Sequence, residues 1–383
     1  MDLRDSPEQA RFRARLREWL RHHAPATAPD QPPTAGPAPR EWGKLLQAAG
    51  YAGLTWPERH GGAGLSPSYQ GILAEETALA GVPEQHNVIG LNMVGPTLIA
   101  YGTEAQQARH LPRILSGDDL FCQGFSEPDA GSDLAAVRTR ALPDGDGFAV
   151  TGEKVWSSYA LQADHCLLLA RTDPDSSRHD GLTCFLLDLT APGVTVRPLR
   201  MITGQADFGQ IVLDGVHLPA DSVVGKVGDG WRVAMATLAH ERGTFGVSLT
   251  ARLAAQFDRL LATVRAVGAV ADPLVRQTVA RLHTDLMGLR YLGYRALSTM
   301  ETTGVPGPES SVLKLHWSQT HQRLVAFAVE LLGPPRADGA TDGWHHYWHQ
   351  QRLRSRGNTI EGGTSEILRG LVAERVAGLP RSR

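Results

Sequence analysis

The chain is poor in cysteine and in net charge, and each shortage argues against a class of protein. Its 383 residues include three cysteines, an odd number without metal-ligand spacing. They fit a reducing compartment better than a secreted disulfide framework. The 38 basic and 40 acidic side chains leave a net charge of -2. No basic field that would attract nucleic acid is therefore expected.

Long apolar runs are also missing. No stretch approaches the roughly 20 apolar residues that a helix needs to cross a bilayer. The first residues, Met1-Asp-Leu-Arg-Asp-Ser-Pro7, lack the apolar run of a signal peptide. We therefore expect a soluble cytoplasmic protein that binds neither membrane nor nucleic acid. A chain of this length can bury a large core or form two to three domains.

The spacing of apolar residues changes twice along the chain. Phe12, Leu16 and Leu20 fall on one face of a helix. Short runs of β-branched and apolar residues, separated by turns, follow between residues 120 and 228 and are typical of strands. Helical spacing returns from Trp231 onward. An order of helices, strands and helices predicts an α+β fold.

These changes of spacing divide the chain into three predicted domains. Residues 1–118 are predicted to be an N-terminal helical domain, and a loop rich in proline and alanine is expected at about residues 24–39. Residues 119–228 are predicted to be a middle antiparallel β-barrel. Residues 229–383 are predicted to be a C-terminal helical bundle.

Three motifs contain most of the candidate ligand-binding residues. Phe125-Ser-Glu-Pro-Asp-Ala-Gly-Ser-Asp133 has a hydroxyl and a glycine that lets a ligand approach the backbone, although alone it could be a turn before a helix. Gly152-Glu-Lys-Val-Trp-Ser-Ser158 could by itself be a core tryptophan beside surface serines. Thr359-Ile-Glu-Gly-Gly-Thr-Ser-Glu-Ile-Leu-Arg369 could be a glycine turn that caps a helix.

Together the three motifs resemble the signature of the acyl-CoA dehydrogenase family, over nearly the whole chain. The resemblance implies that family's three-part fold and a bound FAD. It also implies that Ser132 contacts the CoA portion of the substrate and that the Gly362 amide receives the thioester oxygen. The residues that the resemblance assigns to the flavin are Gln123, Phe125, Ser126, Trp156, Ser157, Ser158, Thr364 and Glu366.

The resemblance also indicates the catalytic base. Many members of the family carry a carboxylate where this chain has Gly362, which cannot take a proton. A smaller group, similar to isovaleryl- and long-chain acyl-CoA dehydrogenases, carries the base on an earlier helix directly before an arginine. This chain has Glu241 directly before Arg242, so Glu241 is implied as the base and Arg242 as a substrate contact. A Glu-Arg pair on a solvated helix face is the ordinary alternative, and Glu361 is a rival base.

The leading interpretation is an FAD enzyme that oxidises an acyl thioester, either acyl-CoA or an acyl group on a carrier protein. Glu241 would remove the weakly acidic α-proton, and the β-hydrogen would leave as hydride to flavin N5. Gly243 and Gly246 would leave room for the ligand beside the base. An electron-transfer flavoprotein would accept the electrons. Two alternatives keep the fold: a non-catalytic partner subunit without its own flavin, and a flavin oxidase or hydroxylase.

Two stretches depart from the members that form symmetric tetramers. The Arg-x-x-Phe-Gly motif, whose arginine reaches the flavin of a neighbouring subunit, is replaced by Val267-Gly-Ala-Val-Ala-Asp-Pro-Leu-Val-Arg276. The later Gly-Gly-x-Gly turn is replaced by Leu332-Gly-Pro-Pro-Arg336. Such departures resemble actinobacterial members, some of which pair with a different subunit. We therefore expect a homodimer, or a heteromer with a related chain, formed through the C-terminal helices.

A cluster of histidines also raises the question of a metal site. His345 and His349 are four residues apart, with His346 between them, and could share one helical face. No carboxylate or cysteine completes a set of ligands. We therefore expect an aromatic-rich surface or interface here, and no metal.

Overall fold

A computed structural model of the chain describes residues 4–24, 39–83, 87–176, 178–304, 307–334 and 343–380, without the side chains of 39 and 241–245. Most of the predicted loop at residues 24–39 lies outside this part. The chain divides into two compact units. The helical unit comprises Met1–Pro39, Leu65–Glu84 and Arg242–Arg383, and the sheet unit comprises Arg40–Gly64 and Gln85–Glu241.

Helices occupy both ends of the chain, and strands occupy its middle. The helices are α1 (Pro7–His23), α2 (Pro39–Ala48), α3 (Pro67–Leu79), α4 (Gly95–Tyr101), α5 (Glu104–Ser116), α6 (Gly230–Ala266), α7 (Pro273–Thr303), α8 (Glu309–Leu332), α9 (Gly343–Arg354) and α10 (Ser365–Arg375). The strands are β1 (Phe121–Gly124), β2 (Arg140–Asp144), β3 (Gly147–Ser158), β4 (His165–Arg171), β5 (Leu182–Asp188), β6 (Val194–Leu199), β7 (Phe208–Pro219) and β8 (Val223–Val224). The predicted α+β class is confirmed.

The helical unit begins with a capped amphipathic helix. Ser6 accepts from the Gln9 amide, and the Gln9 side chain accepts from the Ser6 amide, so the first free amides of α1 are satisfied. The predicted apolar stripe of Phe12, Leu16 and Leu20 is buried. A second core joins the end of α6 to the helices that follow it. Its members include Leu253, Phe257, Leu289, Trp317 and Trp348.

The sheet unit contains one eight-stranded sheet, with the order β6-β7-β3-β2-β4-β5-β8 and with β1 beside β4. Most neighbouring strands are antiparallel, but β1 and β2 each pair with β4 in parallel. The prediction of an antiparallel β-barrel is therefore corrected, because the sheet is mixed. Strands β2 and β3 separate β1 from β4 in sequence, so the chain makes a crossover instead of a hairpin.

Strand β4 is buried on both of its faces. Leu167 and Leu169 pack in the core with α4, α5 and the start of α6, whereas Cys166, Leu168 and Ala170 pack in the core on the other face. Successive side chains of a strand point to opposite faces. Burial of both faces explains why this strand is a continuous apolar run in the sequence instead of an alternating one.

The two compact units do not correspond to the three predicted domains, whose boundaries stay a prediction. Helix α6 is continuous from Gly230 to Ala266, and the division between the units falls within it, after Glu241. Within the described residues, every helix is too short or too polar to serve as a membrane span.

Candidate active site

A buried ion pair in the sheet unit fixes the loop that follows β1. The fully buried Lys154 donates from Nζ to Glu127 Oε1 at 2.7 Å and to the Phe125 carbonyl at 3.1 Å. The Glu127 carboxylate also accepts from the amides of Arg138 and Thr139, at 2.6 and 2.9 Å. Burial would raise the pKa of Glu127, but the charge and hydrogen bond of Lys154 outweigh it and lower that pKa. These contacts join the start of the first motif to β3 and to the segment that follows the motif.

A bulge in β3 exposes the tryptophan of the second motif. The register between β3 and β7 shifts between Lys154 and Ser157, and Trp156 takes a positive φ of 60°. Positive φ is uncommon for a large side chain, and such strain clusters at ligand sites. Trp156 is 61% exposed, and among the described rings it makes a T-shaped contact with Phe208, at 6.0 Å between centroids. Much of the indole is therefore accessible to a planar ligand.

Two of the predicted flavin contacts carry buried polar atoms that need a partner. Among the described residues, Ser157 Oγ and Gln123 Nε2 have no hydrogen-bond partner. Buried polar atoms are nearly always paired, so a bound group that supplies these partners fits here. The exposed Trp156 ring and the two unsatisfied atoms thus fit an isoalloxazine ring system with its hydrogen-bonding edge.

The other predicted ligand contacts in the sheet unit differ in whether the side chain or only the main chain is accessible to a ligand. Phe125 is buried in the apolar core, so only its main chain can reach a ligand. The Ser126 carbonyl accepts from the Val155 amide at 2.9 Å, which ties the first motif to the second, and its side chain is half-buried. Ser158 is also half-buried, and Ser132 is exposed, so its role as a CoA contact stays a prediction.

A cavity lined by arginines was not anticipated from the sequence. It has a volume of about 430 Å³, begins beside Asp133 and takes in Arg138, Arg140, Arg171 and Arg178. The Arg171 guanidinium donates to the carbonyls of Ala135, Val137 and Asp180, at 2.9, 3.2 and 3.0 Å, and so holds the wall together. The remaining three arginines are exposed and form no side-chain hydrogen bond or ion pair with the described residues. Arg138 and Arg140 follow the first motif in sequence, and Arg171 and Arg178 come close to them only in the folded protein.

The third motif forms a glycine turn before α10 in the helical unit. Gly362 and Gly363 have φ of 60° and 97°, in the left-handed region that favours glycine. Thr364 accepts from the Ile367 amide at 3.3 Å and caps α10, so a helix does begin where the sequence suggested. Thr364 is half-buried and Glu366 is exposed. No described residue accepts a backbone hydrogen bond from the Gly362 amide, which leaves that amide available to a ligand.

The rival base Glu361 already has a partner. Both of its carboxylate oxygens accept from the Arg354 guanidinium, at 2.9 and 3.1 Å. A bidentate pair of this kind occupies both oxygens of the carboxylate. The pairing favours the prediction that Glu361 is not the catalytic base.

The predicted base itself lies on α6, but its side chain is outside the described part of the chain. The same holds for Arg242 and Gly243, so the roles of Glu241 and Arg242 stay predictions. Burial lowers the pKa of the preceding residue, His240. The expectation that Gly246 leaves room for a ligand is wrong, because a Cβ there would meet Leu313 methyl groups at 3.0 and 3.2 Å.

The C-terminal histidines belong largely to the fold. Trp344, His345 and Trp348 are buried, so the predicted aromatic surface is wrong for these residues, because α9 turns them into the core of the helical unit. His345 Nε2 lies 3.3 Å from the Leu332 carbonyl. His346 is exposed, and His349 is half-buried.

A different group, in the sheet unit, has metal-ligand chemistry that the sequence did not reveal. The potential ligand atoms of His110, Asp119 and His165 lie within 4.8 Å of one another. Arg113 already donates to Asp119 Oδ1 at 2.7 Å. Its positive charge offsets that of the carboxylate and disfavours a second cation, so the group is an Arg113–Asp119 ion pair with two histidines beside it.

Comparison with known proteins identifies the class to which this fold and these motifs belong. The family models for the N-terminal, middle and C-terminal domains of acyl-CoA dehydrogenase match residues 6–118, 122–216 and 228–377. The chain therefore belongs to the acyl-CoA dehydrogenase family. The fold predicted from the resemblance is confirmed, and the protein is an FAD-dependent acyl-CoA dehydrogenase.

Several individual proteins are similar to this chain over all or nearly all of its length. Acyl-CoA dehydrogenase IpdE1 of Mycobacterium tuberculosis is 43% identical over 381 residues, which cover 97% of each chain. A solved structure called Tcur3481-Tcur3483 steroid ACAD is 34% identical, with a TM-score of 0.87 and complete coverage of both chains (100%). The ChsE4-ChsE5 complex from Mycobacterium tuberculosis is 28% identical, with a TM-score of 0.81 and the same coverage, 100% of each chain.

Proposed function

We propose that this acyl-CoA dehydrogenase uses Glu241 to remove the α-proton of a CoA thioester. The Gly362 amide receives the thioester oxygen as negative charge develops on it. Arg242 binds near the reacting group, and Ser132 contacts the CoA portion. When bound, FAD would supply the acceptor for the β-hydrogen, which leaves the substrate as hydride. The observation that carries the proposal is that the amide of the exposed residue Gly362 has no described backbone acceptor, at the position where other members carry their carboxylate.

We also propose how the chain holds its flavin. Trp156 would pack against the ring system, and Gln123, Ser157 and Ser158 would offer hydrogen bonds to its polar atoms. The main chains of Phe125 and Ser126 line the same part of the ligand. Thr364 and Glu366 contact it from the start of α10. The support is the bulge that exposes Trp156, with the unpaired atoms Ser157 Oγ and Gln123 Nε2.

CoA, and not a carrier protein, is the proposed acyl carrier. CoA brings two phosphates of its diphosphate and a third on its ribose, whereas the prosthetic group of a carrier protein has one phosphodiester. Three unpaired arginines in one cavity beside the first motif suit several phosphates. Guanidinium groups bind phosphate oxygens in bidentate pairs.

The proposed acyl group is bulky and derived from a steroid. This rests on the relative called steroid ACAD, which is similar over the whole chain. An anaerobic titration tests it: the purified protein is mixed with a straight-chain acyl-CoA, a steroid side-chain acyl-CoA or the same acyl groups on a carrier protein, and flavin bleaching is followed. We expect the steroid acyl-CoA to bleach the flavin at the lowest concentration. Bleaching by the carrier-protein substrates alone would contradict the choice of CoA.

The proposed partners are a related chain and an electron-transfer flavoprotein. Relatives of this chain are described as two-protein complexes. The C-terminal segment exposes large apolar side chains that a partner could cover, among them Ile360, Ile367 and Leu379. If the purified chain has no flavin absorbance until a related chain is added, the alternative of a subunit without its own flavin is favoured. Peroxide release during turnover would instead favour an oxidase.

The proposed location is the cytoplasm. It rests on the three cysteines, Cys122, Cys166 and Cys184, which are all free and buried. We also retain the division into domains at residues 118 and 228 as a proposal, since α5 ends at Ser116 and α6 begins at Gly230.

A further inference from the structure

The glycine turn of the third motif is anchored by a lysine from a distant helix. Lys314 lies in the second turn of α8, and its side chain is buried. Its Nζ donates to the Asn358 carbonyl at 2.8 Å and to the Gly363 carbonyl at 2.7 Å. The two acceptors lie on either side of Gly362 in sequence. One ammonium group therefore fixes both ends of the segment that presents the Gly362 amide.

A second set of contacts supports the same segment. His321 lies two turns after Lys314 on α8, and residues seven apart share one helical face. The Asn358 side-chain amide lies 2.6 Å from His321 Nδ1, and Gln322 Nε2 donates to the Ser355 carbonyl at 2.9 Å. Helix α8 thus holds the turn through three polar side chains.

The conformation that these contacts impose is one that the chain does not adopt readily. Gly362 and Gly363 both have positive φ, and two adjacent glycines leave the largest number of alternative conformations open. Charge-assisted hydrogen bonds are about twice as strong as neutral ones, and a buried ammonium must keep its acceptors. The lysine is therefore suited to select one conformation of a flexible turn.

We propose that Lys314 is a positioning residue for the Gly362 amide, which it holds in the orientation that receives the thioester oxygen. The inference rests on the proposed function of Gly362. A donor aimed at the developing oxyanion acts only if it is fixed beforehand, and loss of one such donor typically costs about a hundred- to a thousandfold in rate. Loss of orientation, with the donor still present, is expected to cost less, about tenfold to a hundredfold.

The test uses Lys314→Met in the FAD-loaded protein, with Lys226→Met as the control. Lys226 is exposed, so the control makes the same chemical change without touching the turn. In Lys314→Met, the single-turnover rate of flavin reduction by acyl-CoA should fall at least about tenfold. The Kd for acyl-CoA should change by less than about threefold, because the CoA contacts are made elsewhere. An unchanged rate in a folded Lys314→Met protein overturns the proposal.

A second readout does not depend on turnover. Hydrogen exchange of the peptide that covers residues 355–364 should become at least about tenfold faster in Lys314→Met, while peptides of the sheet unit keep their rates. Equal exchange in the two proteins overturns the anchoring. If Lys314→Met does not fold, Lys314→Gln is measured by the same two criteria. Failure of the wild type to be reduced by any acyl-CoA would instead refute the proposed function, and the exchange result would still decide whether Lys314 anchors the turn.

Discussion

At the scale of single residues, two glutamates compete for the role of base, and the structure describes the side-chain contacts of Glu361. Glu361 is held by Arg354 in a bidentate pair. To act as a base, Glu361 would have to give up one of these hydrogen bonds, because both of its oxygens accept from Arg354. Gly362 has no carboxylate. The pairing of Glu361 and the glycine at position 362 support the proposal that Glu241 is the base.

The first prediction tests the assignment of Glu241 as the base. Glu241→Gln should bind FAD and acyl-CoA normally but lose at least about a hundredfold in the rate of flavin reduction, because general-base contributions are usually at least that large. Stopped-flow absorbance of the anaerobic protein measures the rate. Glu361→Gln is the matched control and should keep most of its activity. The assignment fails if Glu361→Gln alone abolishes reduction, or if Glu241→Gln is reduced at the wild-type rate.

At the scale of elements, the loop after β1 and the turn after β4 create the arginine cavity. Arg171 links the two by donating to carbonyls on both sides. Arg138 and Arg140 are exposed on its wall, without described partners. Their charges are therefore free for a ligand, whereas replacing Arg171 would damage the wall itself.

The second prediction uses these two free arginines. The double variant Arg138→Ala, Arg140→Ala should raise KM for acyl-CoA about tenfold with little change in kcat, since phosphate contacts far from the reacting carbon contribute equally in the ground and transition states. Steady-state kinetics with a dye acceptor measure both constants. The same acyl group on pantetheine, which lacks the CoA phosphates, is the control and should show no difference between the two proteins. A similar loss with both substrates would contradict phosphate binding.

The third prediction concerns α8 and the pH dependence of stability. Burial lowers the pKa of His321 to about 4, from its ordinary value of 6.5. Between these values the unfolded chain takes up a proton and the folded protein does not, so stability should fall as the pH falls from about 6.5 to about 4. Burial also lowers the pKa of His110, in the sheet unit, to about 4. This histidine should therefore add to the loss of stability as the pH falls.

Urea denaturation followed at several pH values measures this dependence. His321→Gln should reduce the loss of unfolding free energy between pH 6.5 and pH 4, because the depressed histidine pKa is removed. His179→Gln, at an exposed histidine, is the control and should leave the slope unchanged. An unaltered slope in His321→Gln would show that its burial does not govern the effect.

At the scale of the whole molecule, the sequence lacks the arginine motif expected of family members that form symmetric tetramers. The fourth prediction is that the purified chain is a homodimer, or a heteromer when a related chain is co-expressed, and that it lacks a stable homotetramer. Light scattering coupled to size-exclusion chromatography measures the mass. A homotetramer with one flavin per chain would contradict the argument from the missing arginine motif.

The sequence predicted more of the fold than of the candidate site. The change from helical spacing to short strands and back gave the correct class, because each period follows from which faces are buried. The parallel pairing of β1 and β2 with β4 could not be inferred, since strand direction depends on crossovers between distant segments. The motifs indicated which residues could contact a flavin. They did not reveal the bulge that exposes Trp156, because register is set by the neighbouring strand.

The sequence by itself determined the order of helices and strands, the family signature and the absence of a carboxylate at Gly362. Only the tertiary structure decided which polar residues are buried. Of the four lysines in the chain, Lys154 and Lys314 are buried, although lysine is usually exposed. A buried ammonium is tolerated only where acceptors surround it. Those acceptors, Glu127 for one lysine and Asn358 and Gly363 for the other, come from distant parts of the chain and meet it only in the folded protein.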